Sequence, residues 1–267
     1  MIPLSRPPRP TGFVQAVANA RAEVERAIAS GTAVDWRTLA ATWRRFKSCF
    51  VQAQDGKCAY CEFMVAGGAY GDVEHFRPKA AVDEMGVVTT RGEPRDRQLT
   101  RTWDQGYWWL AFDWNNLLLC CQICNETWKG AVFPARTPSG GRHRVVPGRS
   151  RRERVLLLNP FDVADVSPHI TFTPLGQVQG LTDEGRNTIA ACGLFRPALL
   201  TQRATLRTQV VNLLSIASRG DAQSVQEVLD NLELIGGNAA PYAGAVRSFY
   251  ETETHTAWPP QSSVIGP

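Results

Sequence analysis

Two Cys-x-x-Cys pairs, Cys58-Ala59-Tyr60-Cys61 and Cys121-Gln122-Ile123-Cys124, bracket the dipeptide Glu74-His75. Each such turn lets two sulfurs reach one ion at about 2.3 Å, and two pairs complete the tetrahedron of a structural zinc. Cys121 is the expected ligand, because Cys120 would give the wider spacing Cys-x-x-x-Cys. An acid beside a histidine offers different chemistry. The carboxylate can hold a hard divalent cation, while a neutral imidazole of pKa about 6.5 takes a proton from water. Asn116 and Asn125 lie downstream, and Asn125, one residue past the second turn, can offer an amide oxygen to the same ion. A closed thiolate site next to an open oxygen-and-nitrogen site predicts cleavage of phosphodiester bonds. The plain alternatives are four unrelated buried cysteines and a histidine satisfied within a core.

The elements around these residues must bring the two pairs together across a long separation and present the histidine. The sequence predicts a helix from Phe13 to about Ile28, stopped at Ser30-Gly31, and a second from Asp35 to Ala53. In the second, Trp36, Leu39, Trp43, Phe46 and Phe50 form a stripe at helical spacing, which reads as core. A short strand should end at Glu74-His75, and its neighbouring side chains should point to opposite faces unless the chain bends there. Residues 80–105 read as a polar loop insertion. The aromatic run Tyr107–Trp114 reads as packing beneath the site. Val155–Leu158 reads as a buried strand, and Ile170–Thr173 with Gln177–Gly180 as a β-hairpin. Helices are expected at about 182–192, 197–217, 222–235 and 240–251, before a frayed tail at 254–267.

The whole is expected to be α+β, divided into a helical segment 1–55, a central unit 56–135, a basic loop 136–154, a hairpin and helical region 155–253, and the tail. The 267 residues are 43% apolar with a net charge of +4, ordinary for a globular protein and compatible with nucleic acid. No run of about 18 apolar residues and no apolar leader is seen, so a cytoplasmic location and no membrane partner are expected. Seven cysteines without a leader favour metal over disulfides. Cys49, Cys120 and Cys192 read as small buried hydrophobes. Between Arg136 and Arg154 lie seven arginines against one acid, Glu153. With its Gly, Pro and Ser, the segment is either a solvated linker or a phosphate-contacting loop. Its place beside the central unit favours phosphate.

The runs Val73-Glu74-His75-Phe76-Arg77-Pro78-Lys79, Trp114-Asn115-Asn116-Leu117 and Cys124-Asn125-Glu126-Thr127-Trp128-Lys129-Gly130 resemble the HNH endonucleases of the ββα-metal class. Among these they are most similar to the stand-alone effectors of bacterial anti-phage systems, the Septu and retron-associated types. Leu157-Leu158-Asn159-Pro160 and Gly193-Leu194-Phe195-Arg196-Pro197 extend the likeness, which covers most of residues 56–200. The resemblance implies a ββα-metal core with a four-cysteine zinc site, flanked by N-terminal helices and a C-terminal hairpin and helical region. It implies that His75 activates water, that Glu74 ligates Mg²⁺ or Mn²⁺, and that Asn116 braces the hairpin. Asn125 stands where the family's final histidine falls, as a weaker ligand. The gap of 76–115 between His75 and Asn116 is longer than in minimal units.

The function expected is metal-dependent hydrolysis of double-stranded DNA with little sequence preference, in anti-phage defence. Arg77, Lys79 and Lys129 are candidate phosphate clamps, joined by Arg149, Arg151 and Arg152 of the basic segment. The chain carries no P-loop motif, so an ATPase, as the resemblance implies, would be a separate partner. The rival readings are a non-catalytic zinc module that binds nucleic acid or protein, and an RNA-cutting toxin.

Overall fold

The computed structural model describes residues 1–65, 71–86, 88–89, 91–93, 98–136 and 153–260. Three helices open the chain, α1 (Phe13–Ser30), α2 (Trp36–Arg44) and α3 (Lys47–Ala53). Helix α1 stops where Gly31 takes a left-handed conformation and its N–H turns back to Ala27 and Ile28. The single helix predicted over 35–53 is broken at Arg45-Phe46. There Phe46 N–H bonds to Trp43 in a tightened turn at 3.1 Å. Packing forces the break. Phe46 sits edge-on to Phe13 at 4.9 Å, and Phe50 lies on Trp114 at 4.5 Å.

The centre is an antiparallel pair, β1 (Gly71–His75) with β4 (Leu117–Cys121), in the register Gly71↔Cys121 to His75↔Leu117. All five residues of β4 are buried. Between them comes a second hairpin, β2 (Val82–Met85) with β3 (Leu99–Trp103). The loop expected at 80–105 therefore contains a sheet. Val82 and Glu84 alternate inward, and Arg101 pairs with Asp83 across the two strands. A seven-residue π-turn, Ile123–Lys129, follows β4 directly and closes with Gly130 N–H on the Asn125 carbonyl at 2.6 Å.

A short pair, β5 (Ala135–Arg136) with β6 (Arg154–Val155), forms the stem of the arginine-rich segment. The predicted strand at 155–158 is buried, but its ladder ends at Val155. Leu158 N–H instead bonds the Thr188 hydroxyl at 2.8 Å. The hairpin β7 (Ile170–Phe172) with β8 (Val178–Gly180) and the helices α4 (Asp183–Cys192), α5 (Pro197–Ala217), α6 (Ala222–Gly236) and α7 (Ala243–Thr254) lie close to their predicted places. Of the expected tail, residues to 260 are described. Trp258 packs edge-on to Tyr250 at 5.6 Å, so this part is tied down. One contiguous apolar cluster runs from α1 through β1 and β4 to α7, making a mixed α+β architecture. Among the described residues, no helix is long and apolar enough to cross a membrane.

The outer edge of β4 is finished by a side chain. Fully buried Gln54 donates to the carbonyls of Lys57 and Leu119, both at 2.9 Å, and accepts from Leu119 N–H at 2.8 Å. Its amide thus acts as a short extra strand, and Ala59 N–H adds a bond to Leu119 O at 3.0 Å. Gln54→Leu keeps the volume and strands these backbone groups. It should lower stability by about 2–4 kcal/mol in urea unfolding of the zinc-replete protein. A loss under about 1 kcal/mol would show that water replaces the amide.

Candidate functional site

The two Cys-x-x-Cys turns meet. The Sγ atoms of Cys58, Cys61, Cys121 and Cys124 all lie within 4.8 Å of one another, and all four residues are buried. Tetrahedral sulfurs at 2.3 Å from a zinc ion stand about 3.8 Å apart. The Cys61 and Cys121 sulfurs are 3.7 Å apart, so the set fits the ion. Cys120 is a fifth thiol, 3.6 Å from Cys58 but outside the mutual set, which agrees with Cys121 as ligand. Burial pushes the Cys58 thiol up, yet bonds from Cys120, Cys121 and Cys124 more than reverse this and leave it well below its usual value. Cys124 N–H donates to the Cys121 sulfur at 3.4 Å.

Sequence reasoning missed Arg196 as a partner of this cluster. Its guanidinium donates to the Cys124 sulfur at 3.3 Å and to the carbonyls of Cys192 and Gly193. A cation here offsets the excess negative charge that four thiolates place on one divalent ion. The signal was present in the run Gly193–Pro197. Gly193 has φ +60, and a Cβ there would collide with the Trp128 ring, so glycine lets α4 close over the π-turn.

Glu74 and His75 sit at the other end of the same ladder from Cys121, four residues or about 14 Å along the strand. As alternation requires, they face different neighbours. His75 is 2% exposed, edge-on to Trp43 at 4.8 Å, with Nε2 3.0 Å from the Ala111 carbonyl. A carbonyl only accepts, so Nε2 carries the proton and Nδ1 holds the lone pair. Burial, then the Lys79 cation, holds the imidazole well below its usual pKa, so it is neutral at pH 7. Trp43, from a helix outside the motif, is a second contact that spacing did not reveal.

Glu74 is paired with Lys129, whose Nζ lies 2.5 Å from Oε1 and 2.9 Å from the His75 carbonyl. Lys129 was expected as a phosphate clamp. Its side chain is fully buried instead, because the π-turn folds it back over β1. Asn116 behaves as a brace. Its Oδ1 accepts Arg77 N–H at 2.8 Å, and its Nδ2 donates to the carbonyls of Arg77 and Leu110. Asn125 is half-buried within the π-turn, its carbonyl used to close it. The donor types at Glu74 and Asn125 suit a hard divalent cation, and Glu74 already binds a positive charge in the Lys129 ammonium.

The remaining candidates divide. Arg77 is held against the rings of Tyr107 and Phe133, each at 5.0 Å, and pairs with the buried Glu153, which Tyr107 also bonds at 2.7 Å. It therefore anchors the stem of the arginine-rich segment. Lys79 lies over Trp43 at 5.1 Å and Trp36 at 5.8 Å and makes no ion pair among the described residues. Arg149, Arg151 and Arg152 lie outside the described residues.

Fold and site together define a mixed α+β protein with a four-cysteine cluster that can bind a metal ion. No family model and no solved structure matches the chain. A curated protein does, the Septu protein PtuB of Bacillus mycoides (strain KBAB4). It is 35% identical over 158 residues, covering 58% of this chain and 48% of that protein. The chain thus spans about half the length of the curated relative it matches.

Cys121→Ser should strip the metal found by elemental analysis of purified protein, whereas Cys120→Ser should retain about one zinc per chain. Arg196→Met should keep the zinc but weaken its retention against a chelator by roughly 10- to 100-fold, the usual effect of losing an outer-shell donor. Equal metal loss in the two serine variants would move the ligand assignment.

Proposed function

We propose that this protein is an HNH-type endonuclease that hydrolyses DNA, acting in anti-phage defence beside a separate ATPase. The observation that carries the reading is a neutral, buried imidazole at the end of an antiparallel pair, with its Nε2–H locked on a backbone carbonyl. A core histidine also needs its buried N–H satisfied, but here that bond leaves Nδ1 as the lone-pair atom. A general base needs its lone pair aimed and unprotonated. The two strands followed at once by a helical turn support the same reading, as does likeness to a protein of the Septu type.

In this reading His75 Nδ1 takes a proton from water as the oxygen attacks phosphorus. At 2% exposure the imidazole must be uncovered by side-chain movement when substrate docks. Asn116 holds the backbone of Arg77 and so keeps the strand end still. Lys79, poised over two indoles and in no ion pair among the described residues, meets a phosphate oxygen. The arginine-rich segment, whose Glu153 is held by Arg77, would supply phosphate contacts and read no bases. Glu74 and Asn125 would hold Mg²⁺ or Mn²⁺, whose charge neutralises the developing negative charge at phosphorus.

The rival is a zinc module without catalysis. Internal pairing of Glu74 with Lys129 favours it, because a structural ion pair would look the same. Cleavage assays on duplex DNA and on single-stranded RNA separate the readings and identify the substrate. His75→Ala should lose about 10²- to 10⁴-fold in cleavage rate with zinc content unchanged. Because its folded pKa is depressed, the base stays neutral on acidification, so the rate should hold from about pH 8 to about pH 6, where a free imidazole would protonate. Full activity in His75→Ala free of contaminating nuclease would leave the zinc-module reading. Replacing Arg149, Arg151 and Arg152 with Ala should reduce the salt slope of duplex binding by about 2.7, since each lost phosphate contact contributes about 0.9. An unchanged slope would make the segment a linker.

A further inference from the structure

Lys129 is the most completely buried cation in the described structure, and it is placed at the centre of the candidate site. Its side chain has no exposed surface, and Glu74 opposite retains only 10%. Burying such a pair is not a stability device by default. Desolvation of both charges offsets their attraction, and a well-packed apolar pair does as well or better. The bonds made are also informative. Nζ contacts Oε1 of Glu74 and the carbonyl of His75, two oxygens at the catalytic end of β1. Two of three ammonium protons are engaged among the described residues.

The backbone beneath Lys129 adds an independent observation. Residues Ile123–Lys129 form a π-turn, a wide and uncommon geometry that recurs at functional sites. The turn ends at Gly130, where φ is +45. Asn125 and Lys129 therefore occupy one turn, and the Asn125 carbonyl closes it. The amide expected to meet a divalent ion and the ammonium that satisfies Glu74 thus belong to the same turn.

We propose that Lys129 occupies the cation position of Glu74 in the free protein, so that a divalent ion enters only when a nucleic-acid phosphate draws the ammonium away. The proposal rests on the nuclease reading for the identity of ion and phosphate. It makes Lys129 a positioning residue that keeps the site unloaded until substrate arrives. An ammonium 2.5 Å from Oε1 blocks the approach of a metal ion to that oxygen at about 2.1 Å, and like charge opposes their coexistence.

The test measures Mn²⁺ binding to zinc-loaded full chain by the electron paramagnetic resonance signal of free Mn²⁺. Wild type should take up no Mn²⁺ alone and one per chain with a phosphorothioate duplex that resists cleavage. Lys129→Met should bind Mn²⁺ without nucleic acid, at least about tenfold tighter than wild type, as expected when Glu74 is left without its partner. Its lowered Tm should recover on adding Mn²⁺. The neutral pair Glu74→Gln with Lys129→Met should fold and lose both responses. Tight Mn²⁺ binding by wild type without duplex overturns the proposal even if Lys129→Met fails to fold. So does equal binding by wild type and Lys129→Met. A protein that cleaves no nucleic acid overturns the nuclease reading and leaves the comparison of Mn²⁺ affinities standing.

Discussion

Sulfur-to-sulfur closure across sixty residues, from Cys61 to Cys121, is the constraint on which the molecule depends. Closing a loop of that size costs conformational entropy, which burial of Val73, Phe76, Val82, Tyr107, Phe112 and Trp114 within it offsets in part. Four thiolates on one ion can offset it, because metal binding free energy becomes folding free energy when no site exists in the unfolded chain. In the central ladder Gly71 stands opposite Cys121, and His75 stands opposite Leu117. Gln54 secures the free edge of the same strand. The thiolate cluster and the imidazole thus stand at opposite ends of one ladder.

Charge is managed inside the protein by pairing distant segments. Glu74 takes its cation from the turn after β4, and Glu153, at the end of the arginine-rich segment, takes its cation from Arg77. The first pair lies just before the 76–115 insertion and the second fastens its beginning at Arg77. Both withdraw a cation that the sequence offers for phosphate, leaving Lys79, on its two indoles and in no ion pair among the described residues, beside the imidazole. The imidazole is kept neutral by the same crowding. Removing water from around it and placing Lys79 and Lys129 nearby both oppose a second positive charge.

The N-terminal helices belong to this arrangement. Trp43 forms the wall against His75, and Phe50 packs on Trp114 just before the brace Asn116. Arg6 reaches the carbonyls of Trp114 and Leu117, and Trp114 donates to Pro7 in return. At the C-terminal side, Arg196 and Gly193 fasten the helical region to the thiolate cluster and the π-turn. A site built from three stretches of chain resists small shifts better than a minimal hairpin and turn.

Local spacing determined the parts of this protein that are short-range. Two-residue gaps between cysteines dictate the turns, glycines at Gly31 and Gly193 mark helix ends, and helical or alternating periodicity places α1, the C-terminal helices and the β7–β8 hairpin. The four cysteines of the cluster were legible for the same reason, as were Glu74-His75 and Asn116 as a motif. Tertiary structure decided what those residues touch. The aromatic stripe gives no sign that the helix breaks at Arg45-Phe46, because the break answers to Phe13 and Trp114, far away in the chain. Polar alternation was too weak to reveal β2–β3. No local pattern distinguishes a lysine that meets solvent phosphate from one folded back onto a glutamate 55 residues earlier. Charge identity is written in the residue, but its partner is chosen by which segments the core brings together, and burial then makes that choice binding.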